Sequence, residues 1–236
     1  NGGAGFEPIG AYATPFTGTL DGQGHVIRNL YVNRTGASDT YAGLFGVTGG
    51  MAEIRNLGME GGSVTATDSS AANASGLVGR NYGTLKACYA TGAVTATATS
   101  NYSYNYSYAY AGGLVGENDD GTLTNCYATG AVTASGTYAY AGGLVGYNSG
   151  GTLTACYATG AVTATATSNY SYNYSYAYAG GLVGENDDGT LTNCYATGAV
   201  TASGTYAYAG GLVGYNSGGT LTACYATGAV TATATS

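Results

Sequence analysis

Five cysteines, one histidine, two acidic turns and two tyrosine-rich runs have the residue types and spacing that could do chemistry. The cysteines are Cys88, Cys126, Cys156, Cys194 and Cys224, each followed by Tyr-Ala-Thr-Gly, at intervals of 38, 30, 38 and 30 residues. There is no Cys-x-x-Cys and only one histidine, so metal ligation is the weakest reading of these thiols. Two others stand: a ladder of buried thiols packed as small apolar groups, and disulfides between neighbours. Cysteines stacked on successive parallel strands, ~4.8 Å apart, fall within disulfide range, but both Cβ atoms aim the same way. The odd count also favours free thiols.

His25 has no signalled partner for a triad or a zinc site, so it reads as a turn or surface residue. The runs Glu117-Asn118-Asp119-Asp120-Gly121 and Glu185-Asn186-Asp187-Asp188-Gly189 carry oxygen ligands of the kind calcium takes. They match neither an EF-hand loop nor the calcium-binding nonapeptide, so solvated turns are expected. No metal and no cofactor is expected.

The tyrosine runs place Tyr102, Tyr104, Tyr106 and Tyr108, and again Tyr170, Tyr172, Tyr174 and Tyr176, at every second position. An extended segment puts such residues on one face. That face is too bulky for a core of Ala, Val, Leu and Cys, so the rings are expected outside. They would cover a flank of their own chain, meet another chain, or stack on a sugar. Asn33, Asn73, Asn101, Asn105, Asn169 and Asn173 sit in Asn-x-Ser/Thr sequons and are possible glycosylation sites. Alternating threonines at 95–99, 163–167 and 231–235 suggest ordinary solvent-facing strands, with an ice-binding face as a minor alternative.

The elements that must hold these residues are repeats. Residues 100–167 recur unchanged as 168–235. A closed core asks for a different side chain at nearly every position, whereas a stacked array asks the same of every unit. The landmark Gly-Leu-Val-Gly occurs at 76–79, 113–116, 143–146, 181–184 and 211–214, with Gly43-Leu44-Phe45-Gly46 before them. Units of 30 and 38 residues alternate, and the longer one carries an eight-residue insertion at 100–107 and 168–175. Within 108–137, period-two alternation over Tyr108–Gly116 reads as a strand and Glu117–Gly121 as a turn. Thr122–Ala128 reads as a second strand bent near Asn125, and Ala131–Ala134 as a third. Three short strands per unit predict one coil of a parallel β-solenoid. A β-propeller would want four strands and ~40 residues per blade.

The expected fold is therefore all-β, a right-handed parallel β-solenoid of about seven coils of 30–38 residues. By the inter-strand spacing its rod core would be roughly 34 Å long. The expected organisation is one β-solenoid domain over 1–236. It has an opening coil at 1–40, divergent repeats at 41–107, and near-identical alternating repeats at 108–236. Ile27, Ile54 and Leu85 stand three residues before Leu30, Leu57 and Cys88, which extends the same grammar into the divergent repeats.

Composition excludes several functions. Only 7% of residues are charged, and the formal net charge is −7. All five cations, Arg28, Arg34, Arg55, Arg80 and Lys86, lie in the first 86 residues. Such a surface cannot neutralise phosphates, so nucleic acid is not an expected partner. No apolar run approaches the ~20 residues of a membrane helix, so membrane insertion is not expected either. The chain opens on Asn1, which reads as a processed chain or an excerpt of a longer one.

Gly-Gly-Leu-Val-Gly-x-Asn followed by Gly-Thr-Leu-x-x-Cys-Tyr-Ala-Thr-Gly-x-Val resembles the GLUG repeat. Phe6-Glu7-Pro8-Ile9-Gly10, with Phe16-Thr17-Gly18-Thr19-Leu20-Asp21-Gly22-Gln23-Gly24-His25-Val26-Ile27, is similar to the coil that opens such arrays. The family occurs in large bacterial and archaeal surface proteins, including adhesin-like proteins and non-catalytic regions of IgA-cleaving metallopeptidases. The resemblance implies a right-handed β-helix, an extracellular or cell-surface place and no catalytic activity, since the peptidase motif is absent. The expected function is that of a structural protein, a segment of a surface fibre with head-to-tail or lateral self-association. Both ends read as uncapped, and open coil edges accept another strand. The alternative is an adhesin stalk whose tyrosine flank contacts glycans or another cell surface. An enzyme such as a polysaccharide lyase is the remotest reading.

Overall fold

The computed structural model describes residues 3–36, 38–100, 106–167 and 174–235. The described chain winds into parallel coils whose strands stack into five sheets, three of seven strands and two of six. In one coil the strands are Tyr108–Gly112, Val115–Asp119, Thr122–Thr124, Tyr127–Ala128 and Val132–Gly136. We call the stacks they belong to the tyrosine, asparagine, leucine, short and threonine sheets. Each strand pairs in parallel with its equivalent one coil on, as Leu123 does with Leu153 and Val132 with Val162.

Five strands per coil replace the three expected. The first expected strand breaks at Gly113-Leu114, and Glu117–Asp119 is strand rather than turn. The chain turns instead at Asp120, with φ of 52°. The second expected strand breaks at Asn125, where φ is 55°. A left-handed residue reverses the local direction of the backbone, so it makes a corner rather than a gentle bend. Ala87, Ala155 and Ala223 stand at the same corner with φ of 50–53°, at a cost of roughly 1–2 kcal/mol each for a residue with a Cβ. Pairing with the coils on either side holds them there.

Two apolar clusters fill the rod. Leu114, Val115, Leu123, Cys126, Ala128 and their equivalents pack the wide side of each coil. Ala109, Ala111, Val132 and Ala134 and their equivalents pack the narrow side, between the tyrosine and threonine sheets. Small side chains let those two sheets approach closely, while each fully buried leucine contributes ~1.5–3 kcal/mol to the wide side.

The opening coil joins the same sheets. Thr19–Asp21 pairs with Glu53–Arg55, Val26–Arg28 with Gly58–Glu60, and Tyr31–Thr35 runs along Ser63–Thr67. One expectation needs correction. Ile54 and Leu85 do stack, but the residue before them in the column is Leu20, and Ile27 stacks on Met59. Four residues, Gly22 to His25, separate the two strands of the opening coil, whereas Asn56 and Leu57 alone do so in the next. Counting back from Leu30 therefore lands in the wrong slot.

Candidate interaction surface

The repeat turns single side chains into columns. Asn81, Asn118, Asn148, Asn186 and Asn216 form a ladder along the asparagine sheet, each Nδ2 donating to the next Oδ1 at 2.7 Å. The second Nδ2 proton goes to a local carbonyl, as from Asn118 to Gly121 at 3.0 Å. Thr48 caps the ladder, its hydroxyl donating to Asn81 at 2.7 Å. These amides are buried from Asn81 to Asn186, and a buried amide is tolerated only when its hydrogen bonds are made.

The cysteines form a second column, on the leucine side of the core. Cys88, Cys126, Cys156 and Cys194 are buried free thiols, and Cys224 is half-buried. Each points at a carbonyl one coil back, as Cys126 does at Leu85 and Cys156 at Leu123, both at 3.6 Å. Hydrogen bonding to Cys156 and Cys88, followed by burial, holds the Cys126 thiol well above its ordinary pKa, while the same contacts with Cys126 lower those of Cys88 and Cys156. The four buried thiols are closed off from solvent, and structural buried cysteines are inert for want of access. A colorimetric disulfide reagent should therefore leave the four buried thiols unreacted until denaturant is added. Rapid reaction of all of them under native conditions would contradict this packing.

Tyrosines make three outward columns. Tyr89, Tyr127, Tyr157, Tyr195 and Tyr225 stack at 4.8–5.1 Å between ring centroids, with planes within 5° of parallel. Tyr108, Tyr138, Tyr176 and Tyr206 stack at 4.8–5.1 Å on the tyrosine sheet. Two residues along each strand, Tyr110, Tyr140, Tyr178 and Tyr208 stack at 4.9–5.1 Å. Tyr147 tilts over Tyr110 and Tyr140, and Tyr215 over Tyr178 and Tyr208. Burial raises the phenol pKa of Tyr110, Tyr140 and Tyr178, and that of Tyr147 to about 12.

Of the tyrosines singled out from the sequence, Tyr108 and Tyr176 stand in these columns and face outward. Tyr106 and Tyr174, 45% and 58% exposed, lie against Tyr138 and Tyr206. Tyr102, Tyr104, Tyr170 and Tyr172 lie outside the described residues, as do Asn101, Asn105, Asn169 and Asn173. The base of each insertion is pinned by a serine. Ser107 donates to Ala98 at 2.9 Å, and Ser175 to Ala166 at 3.2 Å. Asn33 is half-buried. Asn73 is 1% exposed, in the column between Tyr41 and Tyr110, so the folded rod closes its sequon to a glycosyl donor. The stacked rows Thr95–Thr133–Thr163–Thr201 lie on the threonine sheet, but the next outward row alternates Thr97–Ser135–Thr165–Ser203.

One ion-pair cluster lies on the asparagine sheet. Arg80 bridges Glu117 at 3.2 Å and Asp119 at 2.6 Å, and its guanidinium lies 5.2 Å from the centre of the Tyr82 ring. Among the described residues no group of three or more His, Cys, Asp or Glu is arranged to hold a metal ion. No described helix is long and apolar enough to cross a membrane.

The asparagine, cysteine and tyrosine columns were not equally visible in the sequence. The cysteine spacing showed its ladder directly. The asparagines read as turn formers, and the tyrosine after each cysteine read as one more strand residue. The tyrosines recur at the same 38- and 30-residue intervals and the asparagines at 37, 30, 38 and 30, which was the available signal.

Comparison with known proteins bears on this geometry. Residues 107–133, 137–163, 175–201 and 205–231 each match the family described as the GLUG motif. Halomucin of Haloquadratum walsbyi is 45% identical over 96 residues, 40% of this chain and 1% of that protein. A candidate Gly-rich membrane protein of Evansella cellulosilytica is 40% identical over 84 residues, 36% of this chain and 9% of that one. The chain thus spans a small fraction of the curated relatives it matches. Among solved structures, a candidate immunoglobulin A1 protease from Bacteroides ovatus superposes with a TM-score of 0.60 at 25% identity. The match covers 87% of this chain and 58% of that one.

Proposed function

Given that the chain is a GLUG-repeat parallel β-solenoid, we propose that it serves at the cell surface as a structural segment, a rod that extends or bundles into a fibre. The observation that carries this reading is the continuity of the columns. Asparagine, cysteine and tyrosine repeat coil after coil with the same neighbours, so the array specifies a length and a flank rather than a pocket. The names of halomucin and of the Gly-rich membrane protein support a cell-surface location. The reading is non-enzymatic, and the protease name belongs to the structural neighbour.

A second reading, adhesion through the tyrosine flank, is favoured by the exposure of Tyr106 and Tyr174 beside stacked phenol rows. Flat rings with polar tips suit both protein contacts and sugar stacking. Negative-stain microscopy of the purified chain, alone and as the Tyr138→Ser/Tyr176→Ser double variant, separates the two. The structural reading expects filaments or bundles much longer than the roughly 34 Å of seven coils, dispersed in the variant. Discrete rods at all concentrations, with glycan or cell binding lost in the variant, would replace it with the adhesive reading.

A further inference from the structure

The 68-residue duplication copied a cation site without its cation. In the first copy Glu117 and Asp119 hold Arg80 from the preceding coil, with Nε also donating to Asp119 at 2.7 Å. The guanidinium is flanked by the Tyr12 and Tyr82 rings, at 5.8 and 5.2 Å. Glu185 and Asp187 are the same two residues 68 positions on. The register partner one coil before Glu185 is Tyr147, and one coil after it is Tyr215. No Lys or Arg follows Lys86 anywhere in the chain.

The second pair is left open where the first is closed. Glu117 is 7% exposed beside Arg80, whereas Glu185 is only half-buried; Asp119 and Asp187 are half-buried alike. Tyr147 donates one long hydrogen bond, 3.4 Å, to Asp187. Partial burial, with Asp187 adding repulsion, pushes the Glu185 carboxyl up to about 7. Tyr178 and Tyr215, 5.7 Å apart, stand on the same face.

We propose that Glu185 and Asp187, walled by Tyr147 and Tyr215, form a docking site for an arginine side chain presented by a different protein. The occupant is argued from the first copy, where the same residue pair beside phenol rings holds a guanidinium. A planar fork spans two carboxylates and stacks on aromatic faces, which a lysine ammonium does not reproduce. The chain's own arginines are engaged: Arg28 with Glu60, Arg34 with Glu7, Arg55 with Asp21 and Glu53, and Arg80 as described. The site is built from three successive coils of one chain and does not depend on whether rods assemble.

The test uses the full chain labelled with ¹³C at Glu and Asp carboxyls, titrated at pH 8 with argininamide, lysinamide and glycinamide. Saturable shifts at Glu185 and Asp187, with Glu117 and Asp119 unmoved, are expected for argininamide, at about five-fold higher affinity than for lysinamide. The Glu185→Gln/Asp187→Asn variant, close in shape to the parent, should lose the response. Tyr147→Arg should also abolish it, by placing an internal guanidinium where Arg80 stands in the first copy, and should raise the melting temperature. Equal responses to all three amides, a response surviving in the Gln/Asn variant, or one surviving in Tyr147→Arg would each overturn the proposal.

Discussion

Replacing Asn148 by Ala should cost about 2–6 kcal/mol of stability, although the side chain touches no ligand. It accepts from Asn118 and donates to Asn186, both at 2.7 Å, and donates to Gly151 at 3.0 Å. Alanine leaves one Asn118 N–H and the Asn186 Oδ1 without partners inside the rod. Each orphaned buried group costs ~1–3 kcal/mol. In an array where each coil contacts only its neighbours, that penalty falls on two interfaces. Urea melts should show the loss, and amide exchange should quicken first around residues 115–119 and 183–187. Asn216→Ala, at an exposed link of the same ladder, orphans only the one Asn186 N–H that Asn216 accepts and should cost about 1–3 kcal/mol, roughly half as much. Equal and small losses in both would mean that the ladder is spectator geometry.

A larger loss is expected from one methyl group. A Cβ built on Gly160 runs into the carbonyl oxygen of Gly130, one coil back, and the same collision recurs at Gly198 with Gly160. Backbone held by pairing on both sides cannot retreat as a side-chain tip can. Gly160→Ala should therefore push adjacent coils apart locally and cost about 4 kcal/mol or more, in the exceptional range for point mutants. Gly50→Ala is the control. It has negative φ and meets only the Tyr82 carbonyl oxygen at 3.8 Å, so the alanine should be neutral or stabilising by ~0.4–1 kcal/mol through the unfolded chain. Thermal melts of the pair decide the matter. A Gly160→Ala melt within a few degrees of the parent would show that the coils can slide apart cheaply.

The coil spacing was legible because Gly-Leu-Val-Gly and the cysteines both count it out. The number of strands was not. Ala155 and Ala223 turn corners in a left-handed conformation that alanine propensity gives no reason to expect, and Asn125 alone suggested only a bend. The exterior position of Tyr108 followed from volume, since alternation with Ala109 leaves the small residue for the core. The Glu185–Asp187 pair could be read as acidic but not as unneutralised. That difference appears only when register sets Arg80 beside Glu117 and Tyr147 beside Glu185. In the opening coil the two-residue excess between Leu20 and Ile27 shifted the count, because nothing in a Gly-rich turn marks how many residues it spends outside the rod.

The identical columns also bear on inheritance. Residues 100–167 and 168–235 encode the same pair of coils. Unequal recombination between the two copies would insert or delete 68 codons and leave every surviving side chain beside the neighbour it already has. No compensating substitution is required. The reach of the array can then vary among descendants in steps of about 10 Å, two coils at ~4.8 Å, while its stability per coil stays constant. Under the structural role proposed above, copy number becomes the quantity on which selection acts.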